Sequence, residues 1–295
     1  MAFNFKTAWK RLAAAGAIWL AGFGVAAARP PIWIVKDADS TIVLFGSVHV
    51  LPPGLDWQPP ALKTALAKAD DLWFELPVDP ASQAAGAEVV RTKGLLPPGE
   101  SLLAKLTPAG RDRLTRLAPK LGVSLEQMDR LRPWLADVSV GLMDMAQKGA
   151  GANDGVEQSV SAAAPPTAKR EAFETAEQQI GFLADAPEAD QLASLEDTLR
   201  QIEEEPDAYD RLLKAWMDGD IKALEDEGLE PMKKASPDLY DRMITQRNQR
   251  WVEAISKRMA GSGETVVVVG AGHLVGPGGV PALLKARGFK VEGPL

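Results

Sequence analysis

Two apolar, β-prone runs in this chain end in the same four-residue pattern, Gly-x-x-His. The patterns close the segments Leu44–His49 and Val269–His273. His49 and His273 are the only two histidines of the 295-residue chain. Neutral imidazole is the commonest metal ligand in proteins and the usual acid or base near neutral pH. The duplicated pattern therefore predicts one site, formed where the ends of two strands meet.

A carboxylate is expected at the same place. Leu72–Leu76 is predicted to be a buried strand that contains Glu75, and the prolines that follow end it. A carboxylate in an apolar run is costly to bury unless it is paired or binds a cation. Because ligand sites of open α/β sheets lie at the carboxyl ends of strands, we expect Glu75 to lie near both histidines.

Two imidazoles and one carboxylate form a common open ligand set, which leaves a position for water or a substrate oxygen. The pattern predicts that His49, His273 and Glu75 bind a divalent metal, and manganese, cobalt and zinc all fit these ligand types. Such a metal lowers the pKa of bound water and supports hydrolysis. Haem ligation by one histidine, and histidines that only pack in a core or loop, remain as alternatives. Thiolate ligands and disulfides are excluded, because the chain has no cysteine.

The order of the expected elements indicates an α/β fold with a large helical middle region, from Ala81 to about Arg258. The first two strands form a predicted hairpin, and a helix connects the second strand to the third by a parallel crossover. A run of valines is predicted to be a central strand, buried on both faces. The predicted elements outside the helical region are Ile32–Lys36, Thr41–Phe45, Pro59–Lys68, Leu72–Leu76, Thr265–Val269, Val280–Arg287 and Phe289–Glu292.

Four polar residues of the helical region leave two interpretations open. Glu157 follows cap-type residues at a predicted helix start, and Glu174 lies in a segment that favours a short strand before a helix. We expect both to be ordinary cap or surface carboxylates, and the alternative is that carboxylates of this region approach the site. Arg247 and Asn248 lie on the predicted long helix Pro237–Met259. Such a pair is usually at the surface, and the alternative is that it orients a substrate carbonyl or phosphate.

The first 28 residues have the pattern of a secretory signal peptide. Basic residues precede the apolar segment Leu12–Ala28, which ends in an Ala-x-Ala-like cleavage site. We expect a mature chain that begins near Arg29 and is secreted or periplasmic. The alternative is a membrane anchor formed by the same segment, uncleaved. Removal of the basic segment makes the formal charge of −7 more negative, which argues against non-specific nucleic-acid binding.

Taken together, the motifs resemble those of the TraB/GumN family, which includes PrgY-like and TIKI-like proteins. The resemblance covers about the whole mature chain, and its specificity comes from the order of the motifs. The residues that carry it are Phe45–His49, Phe74–Pro77, Gly155–Glu157, Phe173–Thr175, Arg247-Asn248, Val269–Leu274 and Gly288–Val291.

This resemblance implies a fold similar to erythromycin-esterase and ChaN-like proteins, which have a mixed central sheet made of two related halves. We expect a single domain over residues 29–295, in which residues 29–80 form the first α/β half. Residues 81–260 then form a mainly helical cover, and residues 261–295 form the second α/β part.

Some members of the family are metal-dependent peptidases. The resemblance therefore implies a metal-dependent hydrolase that acts on a peptide or small-molecule substrate. His49 and His273 would bind the metal, and Glu75 would be a third ligand or the general base. Arg247 and Asn248 would steady the carbonyl oxyanion or the peptide backbone. The alternative is a non-catalytic periplasmic protein that binds haem or a peptide through the same histidines.

Overall fold

The computed structural model describes residues 29–151 and 154–295. The predicted signal segment, residues 1–28, lies outside the described residues. Within the described ranges, no helix is long and apolar enough to cross a membrane. The fold is a six-stranded mixed sheet with many helices, which confirms the predicted α/β class.

The sheet has the strand order β4-β3-β5-β2-β1-β6. Strands β2, β3, β4 and β5 are mutually parallel, whereas β1 runs antiparallel to both β2 and β6. The predicted hairpin, the parallel crossover and the central position of the valine-rich strand are therefore confirmed. The strands are β1 (Ile32–Lys36), β2 (Ser40–Ser47), β3 (Asp71–Phe74), β4 (Lys169–Ala172), β5 (Gly263–Gly270) and β6 (Val291–Glu292).

Strands β2 and β5, which carry the two Gly-x-x-His patterns, lie side by side. Their parallel register pairs Gly46 with Val269 and Ser47 with Gly270. A Cβ atom at Gly46 would lie only 3.0 Å from the Cα of Ala271, so glycine is needed for this close approach. The two patterns therefore reach the same edge of the sheet, as predicted.

Helices cover the sheet and form the middle of the chain. The helices predicted at Pro59–Lys68 and Val280–Arg287 are observed at Pro60–Leu66 and Val280–Ala286. One difference concerns the predicted helix Pro237–Met259, which contains a π-helical segment near its start. The helices are α1 (Pro60–Leu66), α2 (Pro80–Lys93), α3 (Leu102–Lys105), α4 (Pro108–Lys120), α5 (Leu125–Met128), α6 (Pro133–Gln147), α7 (Val156–Ala163), α8 (Ala176–Ala184), α9 (Glu188–Glu204), α10 (Ala208–Asp218), α11 (Ile221–Gly228), α12 (Glu230–Ala235), α13 (Pro237–Tyr240), the π-helix Asp241–Thr245, α14 (Gln246–Met259), the 3₁₀ turn Ala271–His273 and α15 (Val280–Ala286).

The main hydrophobic core lies on the two faces of the sheet and includes the valines of β5, which are fully buried. The helical middle region buries a second cluster between α4, α6 and α9, with Leu114, Val140 and Leu195 at its centre. The likeness to erythromycin-esterase and ChaN-like proteins, the two related halves and the division at residues 80 and 260 stay predictions.

Candidate functional site

The site lies where the four parallel strands end. His49 follows β2, Glu75 follows β3, Glu174 follows β4, and His273 lies in the 3₁₀ turn after β5. The sequence predicted that His49, Glu75 and His273 lie near one another, and the structure brings them together.

Gly270 forms the floor of the space that these side chains share. A methyl group on its Cα would lie 3.2 Å from Glu75 Oε1, 3.5 Å from His49 Nε2 and 3.7 Å from His273 Cδ2. The backbone of Gly270, with φ −49° and ψ 134°, is open to any residue. Glycine is therefore needed here to keep the space between the three side chains open.

One ring nitrogen of His49 is held by a carboxylate, and the other faces this space. Nδ1 lies 2.8 Å from Glu157 Oε1, and the hydroxyl of Ser47 donates to the same oxygen at 2.6 Å. Because a carboxylate only accepts, Nδ1 carries the proton. Nε2 of His49 makes no hydrogen bond to any of the described residues, and 62% of the side chain is exposed.

The charge of Glu157 also changes the titration of His49. Loss of solvation lowers the pKa of the ring, but the charge and hydrogen bond of Glu157 outweigh this effect and raise the pKa to about 9. Glu75 adds to the rise, whereas Arg247 opposes it. His49 is therefore protonated at neutral pH, and its exposed Nε2 becomes a free base as the pH rises through about 9.

His273 has the opposite environment. Its Nδ1 lies 2.7 Å from Asn248 Oδ1, and Asn248 Nδ2 donates to the carbonyl of Gly278 at 2.8 Å. This arrangement places the proton of His273 on Nδ1, so Nε2 accepts a hydrogen bond from Arg247 Nη1 at 3.0 Å. Burial lowers the pKa of His273 to about 3, despite the charge of Glu75. The ring is therefore neutral at neutral pH.

Arg247 is almost fully buried and links four groups of the site. Its Nε donates to both oxygens of Glu174, at 2.9 and 3.0 Å, and its Nη2 lies 2.5 Å from Glu75 Oε2. Nη1 contacts His273 and also donates to the carbonyl of Met243 at 3.0 Å, within the π-helix. The guanidinium is thereby fixed between two carboxylates that follow neighbouring strands.

Both carboxylate oxygens of Glu75 accept hydrogen bonds. Oε1 accepts from the backbone N–H of Gly270 at 2.6 Å, and Oε2 accepts from Arg247 and from Gln179 Nε2 at 2.9 Å. Burial alone would raise the pKa of Glu75, but His273, Arg247, His49 and this N–H lower it to about 2. At neutral pH, where His273 is neutral, Arg247 supplies the nearest positive charge. Glu75 is therefore ionised and weakly basic.

Arg247 and Asn248 hold other site residues in place. The sequence interpretation placed them at the oxyanion or peptide backbone of a substrate. Both are buried, with exposures of 2% and 0%, and their hydrogen-bonding groups contact protein groups. These contacts position His273 and Glu75, and the role of Arg247 and Asn248 at a substrate stays a prediction.

The predicted metal ligands do not fit a metal as they are arranged. In the part of the chain that the structure describes, no group of three or more His, Asp and Glu side chains is placed to hold an ion. The guanidinium of Arg247 contacts both His273 Nε2 and Glu75, so these two donors already have a cationic partner. A metal at His273 requires Arg247 to leave, and metal binding stays a prediction.

Glu157 and Glu174 were expected to be ordinary cap or surface carboxylates, and the structure corrects both expectations. Glu157 does lie in the first turn of α7, but its carboxylate binds His49. Glu174 is buried and binds Arg247, while the indole of Trp251 donates to it at 3.2 Å. One sequence signal could have identified Glu174, because a Phe-Glu pair occurs at the end of β4, at 173–174, as it does at the end of β3, at 74–75.

The fold and the site define a class of α/β proteins with a paired histidine–carboxylate centre at the ends of parallel strands. The model of the TraB/PrgY/gumN family matches residues 31–293, and the chain belongs to this family.

Two bacterial relatives are similar to the chain over almost all of its length. The uncharacterized protein YbaP of Escherichia coli (strain K12) is 25% identical over 284 residues, which cover 96% of this chain and 98% of YbaP. YbaP of Shigella flexneri is similar to the same extent. No solved structure matches the chain.

Proposed function

We propose that this protein is a hydrolase in which His49 takes a proton from water, with peptides as its substrate class. One observation carries the proposal: Glu157 holds Nδ1 of His49 while Nε2 faces the space above Gly270. In other hydrolytic sites, a carboxylate that orients a histidine in this way fixes its tautomer and stabilises the imidazolium ion.

The proposed reaction adds water across the scissile amide bond. Nε2 of His49 accepts a proton from water as the oxygen attacks the carbonyl carbon. The imidazolium, held by Glu157, then returns the proton to the nitrogen of the leaving amine. We assign the role of base to His49 rather than Glu75, because a carboxylate with a pKa of about 2 is a weak base.

Glu75 and His273 lie on the other side of the space, where Glu75 supplies a fixed negative charge and His273 a fixed neutral ring. Glu75 is held by Arg247, Gln179 and Gly270, and it faces His49 as an anion. His273 is fixed as a neutral ring by Asn248 and Arg247. A peptide or small-molecule substrate and a secreted or periplasmic location are the sequence predictions that complete this proposal. The predicted metal dependence is an alternative, which the experiment below separates from the metal-free reaction.

Hydrolysis is tested with the full chain and a fluorogenic peptide library, from about pH 7 to about pH 10. Parallel reactions contain EDTA or added manganese, cobalt or zinc. We expect His49→Gln to lower kcat/KM by about 10²–10⁴-fold, because the proton acceptor is lost. Glu157→Gln is expected to lower it less, and the exposed Glu177→Gln serves as the matched control.

The outcomes of this experiment separate the proposals. Cleavage in EDTA that His49→Gln removes supports the metal-free reaction, and cleavage only with added metal supports the predicted metal dependence. Absence of cleavage in every condition contradicts the hydrolase. A Soret band on haem addition, lost in His49→Gln and without any cleavage, favours the binding protein instead.

Gly270→Ala tests whether the reaction occurs above this residue. The added methyl group would occupy the space between Glu75, His49 and His273 without straining the backbone. We expect kcat/KM to fall by about 10²-fold, because misplacement of reacting groups by about 1 Å has that effect. Thermal unfolding shows whether the variant stays folded.

Gly141→Ala is the matched control for this substitution. Gly141 lies in α6, and a Cβ atom there meets nothing within 4 Å. The Gly141→Ala variant should keep full activity. Equal activity of Gly270→Ala and the wild type would place the reaction elsewhere.

A further inference from the structure

A cavity of about 460 Å³ lies beside the catalytic network, between the end of β4 and the helix α14. Trp73, Phe173 and Phe182 line it together with Glu174 and Trp251. The last two residues are shared with the site, since Glu174 binds Arg247 and the ring of Trp251 lies 4.4 Å from that of His273. A group bound in the cavity would therefore lie one side chain away from the catalytic network.

Aromatic rings form the apolar part of the cavity wall. Trp73 and Phe173 pack edge to face with their ring centroids 5.3 Å apart, and Phe173 stacks on Trp251 at 5.0 Å. The small side chain of Ala254 leaves space beside these rings. Ligand sites typically combine such apolar walls with some polar groups, which are here Glu171, Glu174, Gln178 and Arg250.

Charged side chains lie at the rim of the cavity. The guanidinium of Arg250 lies 5.1 Å from the ring centroid of Phe182 and 3.7 Å from Glu174 Oε1. Glu171 lines the same rim. Because the charges of Arg250 and Glu174 lie close together and Glu171 adds a further negative charge, an anionic group is disfavoured and the aromatic rings favour an apolar side chain.

The adjacent strand suits an extended polypeptide. In the described sheet, β4 lies at the edge and pairs with β3 on one side only. A peptide can bind such an edge as an added strand, and its alternate side chains then project to the same face. Glu171 and Phe173 of this segment line the cavity, so one face of an added strand would project toward it.

We propose that this cavity is the specificity subsite of the enzyme and that it receives one large apolar or aromatic side chain of an extended peptide substrate. The inference rests on the proposed hydrolase function. It predicts that peptides with phenylalanine at one position are cleaved about tenfold to hundredfold faster than the same peptides with alanine there, because burial of the side chain favours binding.

Ala254→Phe tests the subsite by filling the cavity from α14, and Glu171→Phe narrows it from β4. With the full chain, we expect either variant to lose the preference for phenylalanine and to keep cleavage of the alanine peptide. Ala84→Phe, at an exposed position of α2, is the matched control and should keep the preference.

Binding of N-acetyl-phenylalanine amide, measured by NMR shifts of the indole N–H groups, separates the subsite from the reaction. Saturable binding that both filling variants remove, in the absence of any cleavage, supports the subsite and contradicts the hydrolase. Cleavage without a preference for phenylalanine, or with a preference that the filling variants retain, overturns the subsite and leaves the hydrolase. Absence of both binding and cleavage overturns both.

Discussion

Arg247→Met is expected to lower the free energy of unfolding by about 3–5 kcal/mol. The substitution removes the guanidinium that pairs with Glu75 and Glu174, and both carboxylates stay buried. Loss of one partner from a buried ion pair has a large effect because the remaining charge has neither solvent nor counter-ion. Urea unfolding at neutral pH measures the difference from the wild type.

Arg250→Met is the matched control on the same helix. Arg250 lies 3.7 Å from the same carboxylate of Glu174, but 47% of its side chain is exposed. Exposed ion pairs contribute about 0–1 kcal/mol, so Arg250→Met should change stability by no more than this. Similar losses of stability in the two variants would show that burial does not determine the contribution of Arg247 to the free energy of unfolding.

The loss caused by Arg247→Met should also depend on pH. In the wild type the pKa of Glu75 is lowered from 4.5 to about 2. A lowered carboxyl pKa contributes stability above the pKa of the unfolded chain, and this stability is lost as the pH falls toward the folded value. The difference between Arg247→Met and the wild type should therefore be largest above about pH 4.5 and decrease toward pH 2. A difference that grows on acidification would contradict the ion-pair explanation.

The parts of the site that the sequence identified follow simple physical rules. His49 and His273 were identified because rare residues occur twice after β-prone runs. Glu75 was identified because a carboxylate in an apolar strand needs a partner. These inferences need only strand periodicity and the rule that parallel strands end at one edge of the sheet.

Glu157 was not predicted because its partner is distant in the chain. It lies at the start of α7, where an acidic residue normally stabilises the helix dipole, so its type carries no further signal. Its contact with His49 spans 108 residues and is set by tertiary packing. Glu174 differs because it repeats the Phe-Glu pattern of Glu75 after β4.

Arg247 could have been assigned to the interior from the period of its helix. Arg247, Trp251, Ile255 and Met259 recur at intervals of four residues, and all four are buried on one face of α14. A helical face that is otherwise apolar predicts that its charged member is buried and paired. The π-helix Asp241–Thr245 has no comparable sequence signal, and it places the carbonyl of Met243 within reach of Arg247.

The two histidines should titrate about six pH units apart, with pKa values of about 9 for His49 and about 3 for His273. Loss of solvation lowers both values, but Glu157 outweighs it at His49, and Glu75 does not outweigh it at His273. Long-range ¹H–¹⁵N spectra of the full chain measure both pKa values directly, because the chain contains only two imidazoles. His49→Gln removes one signal and so assigns both.

Glu157→Gln tests whether Glu157 causes the raised pKa of His49. Loss of the carboxylate should move the pKa of His49 down toward the unperturbed 6.5, whereas Glu177→Gln should leave it unchanged. A histidine with a raised folded pKa contributes stability below about pH 6.5, and this is lost as the pH rises through about 9. The wild type should therefore lose stability relative to Glu157→Gln across that interval.

Loss of the proton from His49 should also govern the rate of the proposed hydrolysis. If His49 is the base, kcat/KM of the wild type should rise with pH up to about 9 as the ring loses its proton. In Glu157→Gln this rise should occur at lower pH and reach a lower plateau, because the base is weaker and less well oriented. A wild-type rate that falls over the interval in which NMR shows His49 losing its proton would mean that His49 acts as an acid.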